Sequence, residues 1–354
     1  MTLGCLADLR WLFATQGDLY IYAANGHGAW EAALTNTLSR GDTVLVLESG
    51  LFATSWGEMA RMLGVEVESL PRDWRRAVDP ARLRETLAAD KDHKLKAVLT
   101  VQVDTASGVR NDVEAIRRAL DGAGHPALLM VDVIASLGAI PFEMDRWGVD
   151  VAVGAAQKAL MMTPGLAFVA ANAKAKACNR KAGLRTFYWD WQFRDGPEHY
   201  KRYCGTCPEH LLFGLRKSLD LIKAEGLEAV HRRHGLLAEA TRRAVTVWAQ
   251  RGALSLNIEN PAERSDSVTV VRLEAQSAER LIAYCGDVCG VVLGVNIGAL
   301  SGQGFRIGHM GEVSAPTILG TLAVIEAGLE ALSIPHGQGG VGAAITYLGQ
   351  ATAS

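Results

Sequence analysis

The chain lacks most of the features that assign a protein quickly. No stretch reaches about 18 consecutive apolar residues, so no membrane-spanning helix and no membrane partner are expected. Lys and Arg number 36 against 38 Asp and Glu, a formal net charge of −2. Without a basic excess there is little to grip a phosphate backbone, and a nucleic-acid partner is not expected. The opening residues Met1–Cys5 lack a basic region followed by an apolar core, so no secretory leader is expected and a cytoplasmic setting is the reading. Cysteines are few, six in all (Cys5, Cys178, Cys204, Cys207, Cys285 and Cys289), and in that setting free thiols are the default. Cys204-x-x-Cys207 and Cys285-x3-Cys289 are compatible with two halves of a zinc site, but the second spacing is not distinctive, and no metal is expected. Low hydrophobicity with high net charge, the mark of disorder, is absent too. There is no Walker loop, G-x-G-x-x-G, H-E-x-x-H or G-x-S-x-G, and no repeat of 20 to 50 residues.

What is present is globular material. Of 354 residues 49% are hydrophobic and 21% charged, enough for a large core and two domains. Short β-branched runs alternate with helical patterns, which predicts a largely parallel α/β sheet. Strands are expected at Leu19–Ala23, Thr43–Leu47, Val65–Leu70, Lys96–Gln102, Ala127–Asp132, Val149–Val153 and Leu166–Ala170. Several are apolar throughout, as strands covered on both faces are. Between them lie helical patterns at Gly28–Leu38, Ser55–Leu63, Asp79–Ala89 and Asn111–Leu120. Beyond about residue 185 the pattern changes. An aromatic and charged stretch precedes two long helices, near 208–225 and 227–249, and then mixed strands (267–273, 290–295 and 304–307) and helices (278–285 and 315–332). The Gly-rich 337–342 stretch reads as a loop before a last helix. The expected organisation is a large α/β domain over 1–225 and a smaller α+β domain over 226–354.

Four places carry candidate chemistry. Asn25-Gly26-His27 lies between a strand and a helix, where free backbone N–H groups and the helix dipole suit a phosphate; an ordinary turn is the bland alternative. Asp132 ends an apolar strand and points at the crevice where α/β sheets bind ligands, as a metal ligand, a partner for a cationic ring nitrogen, or a helix cap. Lys158 stands amid small and apolar residues, where lost hydration lowers its pKa toward a nucleophilic amine; a snorkelling surface lysine is the alternative. Arg306 lies inside an apolar strand of the second domain and needs an anionic partner, best a carboxylate. Asp104-Thr105-Ala106-Ser107 adds polar residues just after a strand, at the crevice edge.

A phosphate turn, a strand-end acid, a lysine and a second-domain arginine together match what pyridoxal 5′-phosphate requires. On these residues, and on Asn25–Asp42, Thr105–Val109, Val131–Leu137, Gln157–Gly165 and Phe305–Gly311, nearly the whole chain resembles the class V group of fold-type I aminotransferases, most of all the alanine–glyoxylate and serine–glyoxylate enzymes. The resemblance implies a fold-type I architecture with a seven-stranded, mostly parallel sheet. It implies a ping-pong transfer of an amino group from a small amino acid such as alanine or serine to a 2-oxo acid such as glyoxylate or pyruvate. It implies a Schiff base on Lys158, which also shuttles the proton, and Asp132 paired with the pyridine nitrogen. Asn25, Gly26, His27 and Gln157 would hold the phosphate, Phe52 would stack on the ring, Thr105 would bond the phenolic oxygen, and Arg306 would bind the substrate carboxylate. Tyr203 and Thr206 match a Tyr-x-x-Thr that reaches the partner subunit's phosphate, which implies a homodimer.

The sequence departs from the family pattern in two ways. Ala156 stands where the family usually has a serine two positions before the lysine. The first sheet strand begins near Leu19, so a few dozen residues of the family's leading segment are expected to be missing. That motivates one alternative, a catalytically impaired homologue. A second, a cysteine desulfurase-like lyase, is disfavoured by Gln157 and Phe52, where those enzymes place histidines.

Overall fold

The computed structural model describes residues 1–353. Its main sheet has seven strands: β1 (Asp18–Ala24), β2 (Thr43–Leu47), β3 (Glu66–Leu70), β4 (Leu95–Val101), β5 (Leu128–Asp132), β6 (Val151–Ala155) and β7 (Gly165–Ala171). They lie in the order β1-β7-β6-β5-β4-β2-β3, and only β7 runs antiparallel to its neighbours. This is the expected mostly parallel α/β sheet, with strand limits within two residues of those read from the sequence.

Strand composition explains the layering. In β2, Val44 and Val46 face one core while Leu45 and Leu47 face another. Successive side chains of a strand point to opposite faces, so a strand apolar at every position must be covered on both. One face carries helices α2 (Gly26–Thr37) and α3 (Leu51–Met62), through Trp30, Leu34, Trp56 and Ala60. The other carries α1 (Thr2–Phe13), α4 (Pro80–Ala89) and α5 (Val113–Gly122), through Leu9, Phe13, Leu83, Leu87, Ile116 and Leu120. Local signals set the helix starts. Asp79 caps α4 by accepting from the Ala81 N–H at 2.9 Å, with Pro80 in the first turn, and Asp112 caps α5 by accepting from Ala115 N–H at 2.8 Å.

Helix α1 was not anticipated from the sequence. Its apolar residues (Cys5, Leu6, Leu9, Leu12 and Phe13) are buried and carry a clear helical spacing, but no capping residue precedes them.

After a short helix, α6 (Ala173–Asn179), come the long α7 (Glu209–Glu225) and α8 (Leu227–Trp248), separated by Gly226 at φ +88°, a backbone region that favours glycine. A second, antiparallel sheet follows: β8 (Leu254–Leu256), β9 (Val268–Leu273), β10 (Gly294–Val295) and β11 (Gly304–Gly308), in the order β8-β9-β11-β10. It packs with α8, α9 (Ala275–Ala283), α10 (Ala315–Ala331) and α11 (Gly340–Ala353) around Trp248, Val271, Phe305, Leu322 and Ile325. Two local expectations are corrected. The strand expected over 290–295 shrinks to two residues, because the amides of Gly290 and Val291 bond back to Gly286 O and Cys285 O of a π-helical turn at Tyr284–Val288. The last helix begins inside the Gly-rich stretch, where Gly340 packs so tightly that an added Cβ would lie 2.2 Å from Trp248 Nε1.

Arg194 ties the aromatic segment to the main sheet. Fully buried, it donates to the carbonyls of Tyr188, Ile21 and Arg202 and lies 4.2 Å from the Tyr22 ring centre. Arg194→Met would leave three carbonyls without donors, so it should lower stability by roughly 3 kcal/mol, read as a fall in the urea midpoint.

Candidate active site

Because the sheet is apolar on both faces, polar groups gather where its strands end. The C-terminal ends of β1, β2, β4, β5 and β6 lie along one edge, and each is followed by a candidate residue: Asn25, Phe52, Thr105, Asp132 and Lys158. They line a single cavity of about 280 Å³, which Gly26, His27, Trp30, Gln157 and Pro164 also line. Ligands of open α/β sheets bind at this edge.

Asn25 is the N-cap of α2. Its side chain accepts from Gly28 N–H at 3.3 Å, and the first-turn amides of Gly26 and His27 have no helical partner one turn back. Gly26 allows a close approach here, since a Cβ would lie 2.3 Å from Ile134 Cδ1.

Asp132 is buried, and both oxygens are held. Ile134 N–H donates to Oδ1 at 2.7 Å, and the Trp30 indole N–H donates to Oδ2 at 2.6 Å. Burial pushes its pKa up to about 7, assisted by the charge of Asp104; the two donors and Lys158 pull the other way. Asp104 is equally buried and lies where α3 begins. It accepts from Phe52 N–H at 2.9 Å, Ala53 N–H at 3.0 Å and Ala106 N–H at 3.0 Å, and burial raises its pKa to about 6. Helix α3 has no capping side chain of its own, because its N-cap is Gly50, where a Cβ would lie 2.3 Å from the Asp104 carboxyl. An acid from the neighbouring strand thus caps the helix that presents Phe52.

Lys158 is half-buried. Burial comes first in lowering its pKa, followed by the positive charge of Arg306, and Asp132 opposes both. Arg306, on β11, donates through Nη1 to Thr105 O at 3.0 Å and through Nε to Val295 O at 2.9 Å. Nη2 is unclaimed within the described residues.

The structure therefore brings Asn25, Gly26, His27, Phe52, Thr105, Asp132, Gln157 and Lys158 together around the cavity, with Arg306 bonded to its Thr105 wall. It does not bring Tyr203 and Thr206 there. Tyr203 is buried with its hydroxyl 2.8 Å from Thr2 Oγ1, and Thr206 is exposed. Sequence reasoning missed Trp30 and Asp104 as site residues. Trp30 stands three residues after His27, one turn along the same helix face, but nothing in that spacing points to its partner Asp132. Asp104 directly precedes Thr105.

The residues present fit pyridoxal phosphate. Gln157 Oε1 is buried without a hydrogen-bond partner, a polar end that awaits a ligand and that a turn of the amide would exchange for a donor. Beside it stand uncommitted helix N-terminal amides for a phosphate, a buried strand-end acid for a ring nitrogen, and a lysine of lowered proton affinity.

Comparison with known proteins agrees. The aminotransferase class-V family matches residues 10–296. The chain is 39% identical to the serine–glyoxylate aminotransferase of Methylorubrum extorquens, over 95% of this chain and 84% of that one. It is also 39% identical to the L-aspartate–glyoxylate aminotransferase of Paracoccus denitrificans, over 97% of this chain and 86% of that one. Among solved structures, the pyridoxamine–pyruvate aminotransferase of Mesorhizobium loti superposes with a TM-score of 0.86 at 25% identity, covering 98% of this chain and 88% of that one.

The two raised carboxyls predict a pH signature in the cofactor-free protein. A carboxyl whose folded pKa exceeds its unfolded value binds its proton more tightly when folded, so its stabilising contribution is complete at low pH and is lost as pH rises through the folded pKa. The two carboxyls should subtract stability progressively from about pH 4, the unfolded value, to about pH 7, while His231, His234 and His309, whose proton affinity burial lowers, act with the opposite sign below about pH 6.5. Lys158, shifted down, acts with the opposite sign at higher pH. The difference in denaturant midpoint between Asp132→Asn and wild type isolates the Asp132 contribution: it should shift in favour of the variant as pH rises to about 7 and then level off.

Proposed function

The chain belongs to the class V aminotransferases and is a pyridoxal-phosphate-dependent transaminase; we propose that it transfers the amino group of a small amino acid to glyoxylate. The single observation that carries this reading is the convergence of Lys158, Asp132 and the α2 N-terminus on one cavity, with Arg306 at its Thr105 wall. Relatives named for serine and L-aspartate with glyoxylate support the choice of acceptor.

Bound cofactor supplies an electron sink and a carrier for the amino group. The chain's own residues do the rest. Lys158 is the amine that would hold the cofactor covalently, and its lowered proton affinity suits it to take up the proton at the substrate Cα. Asp132, ionised once a cation is its neighbour, keeps the proton on the ring nitrogen. Asn25, Gly26, His27 and Gln157 hold the phosphate. Phe52 covers the ring, and Thr105 bonds the phenolic oxygen. Arg306 offers Nη2 to the substrate carboxylate, and its two carbonyl contacts fix the plane of the guanidinium. On this reading 1–225 is the cofactor-holding unit and 226–354 the unit that contributes Arg306. The working protein is a homodimer in which Tyr203 and Thr206 serve the partner's phosphate, and the setting is cytoplasmic.

The test is a half-reaction screen. The cofactor-loaded protein is mixed with single amino acids and the absorbance of the bound cofactor is followed, then glyoxylate or pyruvate is added to reverse the change. Serine, alanine or aspartate should drive it, and glyoxylate should restore it. A panel without response would overturn the reading. Lys158→Ala should abolish turnover with the fold intact. Arg306→Ala should raise KM for donor and acceptor roughly hundredfold, with a smaller loss in kcat.

A further inference from the structure

We propose that Trp30 is a positioning residue of this site: its indole N–H locks the Asp132 carboxylate in the orientation that meets the ring nitrogen of the cofactor. The proposal rests on the reading that Asp132 pairs with that nitrogen. The indole bond is short, 2.6 Å to Oδ2, and joins α2 to the end of β5. Together with Ile134 N–H on Oδ1 it leaves the carboxylate no free rotation about its last bond. Trp30 is itself fixed. It is 1% exposed, stacked on Trp56 at 5.8 Å and 16°, and in ring contact with His27 at 4.5 Å and Phe52 at 6.3 Å. One indole thus touches the phosphate turn, the ring-stacking residue and the strand-end acid.

The bond also has an electrostatic effect. An N–H donated to a carboxylate favours its charged form, the form a protonated ring nitrogen needs. The other groups that bear on Asp132 are Asp104, which raises its proton affinity, and Lys158, which lowers it; His27 lies against the indole and lines the same cavity. Without the indole N–H, burial and Asp104 would hold more of the acid protonated at neutral pH, and pairing with the cofactor would weaken.

The experiment uses Trp30→Phe, which keeps an aromatic body and removes the donor. Two measurements are made beside wild type: pyridoxal phosphate affinity by equilibrium dialysis across pH, and the pH dependence of denaturant stability without cofactor. Affinity should fall roughly tenfold or more at neutral pH, as expected for a lost bond to a charged group. The pH-linked loss of stability should extend to higher pH, because the Asp132 proton is held more tightly. In an Asp132→Asn background, Trp30→Phe should leave the pH profile unchanged. A merely structural tryptophan would lower stability equally at all pH values and in both backgrounds, and that result would overturn the proposal, as would an unchanged affinity. If Trp30→Phe does not fold, replacing Trp30 by 3-benzothienylalanine, which keeps the bicyclic shape without the N–H, makes the same test. Wild-type protein that takes up no pyridoxal phosphate would instead sink the proposed function, while the cofactor-free pH profiles would still judge the Trp30–Asp132 bond.

Discussion

The constraint on which the rest depends is a sheet with no wet face. The inner strands, apolar and buried along nearly their whole length, leave no lateral surface for chemistry, so polar groups are pushed to the strand ends. Parallel connections bring most of those ends to one edge, and helices start there with unpaired N–H groups pointing outward. The cavity is a consequence of this arrangement. Anion-seeking amides, acids at strand ends and a lysine on the following loop fall within one space because a doubly covered sheet has nowhere else to put them.

Burial then sets the electrostatics. Asp104 and Asp132 are both desolvated, and Asp104 further raises the proton affinity of Asp132, yet both are held by N–H donors that favour the charged form. Lys158 and Arg306 are each driven toward neutrality first by burial, and the charge of Arg306 lowers the proton affinity of Lys158 further. The protein on its own is frustrated here. A cationic ring nitrogen beside Asp132 and an anionic carboxylate beside Arg306 would relieve that frustration, so the ligands complete a charge pattern that the folded chain leaves unbalanced.

Much of this was legible in the sequence, for identifiable reasons. The seven strands were readable because their apolar runs are bounded by Gly, Asp and Asn. The Asp79-Pro80 and Asn111-Asp112 signals found α4 and α5 because capping is local. Asp132, Lys158 and the 25–27 turn could be placed because each follows a recognisable strand. Helix α1 escaped because no cap announces it, and the strand suggested over 290–295 shortens because the amides of Cys289, Gly290 and Val291 bond back into the π-turn. The other features that escaped are non-local. Asp104 caps a helix more than 50 positions earlier in the chain, and Trp30, which reads as one more apolar residue at helical spacing, spends its N–H on an acid about a hundred positions later. Sequence spacing carries no record of such partnerships.

The second sheet is bonded to the loop after β4, and through that loop Arg306 reaches the wall of the cavity. Asn257, fully buried, donates to Trp74 O at 2.6 Å and to Ser107 O at 2.8 Å, and Arg306 closes onto Thr105 O. Ser107 and Thr105 belong to the same turn that carries Asp104. One turn therefore carries Thr105, caps the helix that presents Phe52 and docks Arg306, so a shift in it would move all three together. A shared turn is the shortest covalent and hydrogen-bonded path that keeps groups around one cavity in fixed relation, as alignment of reacting groups requires.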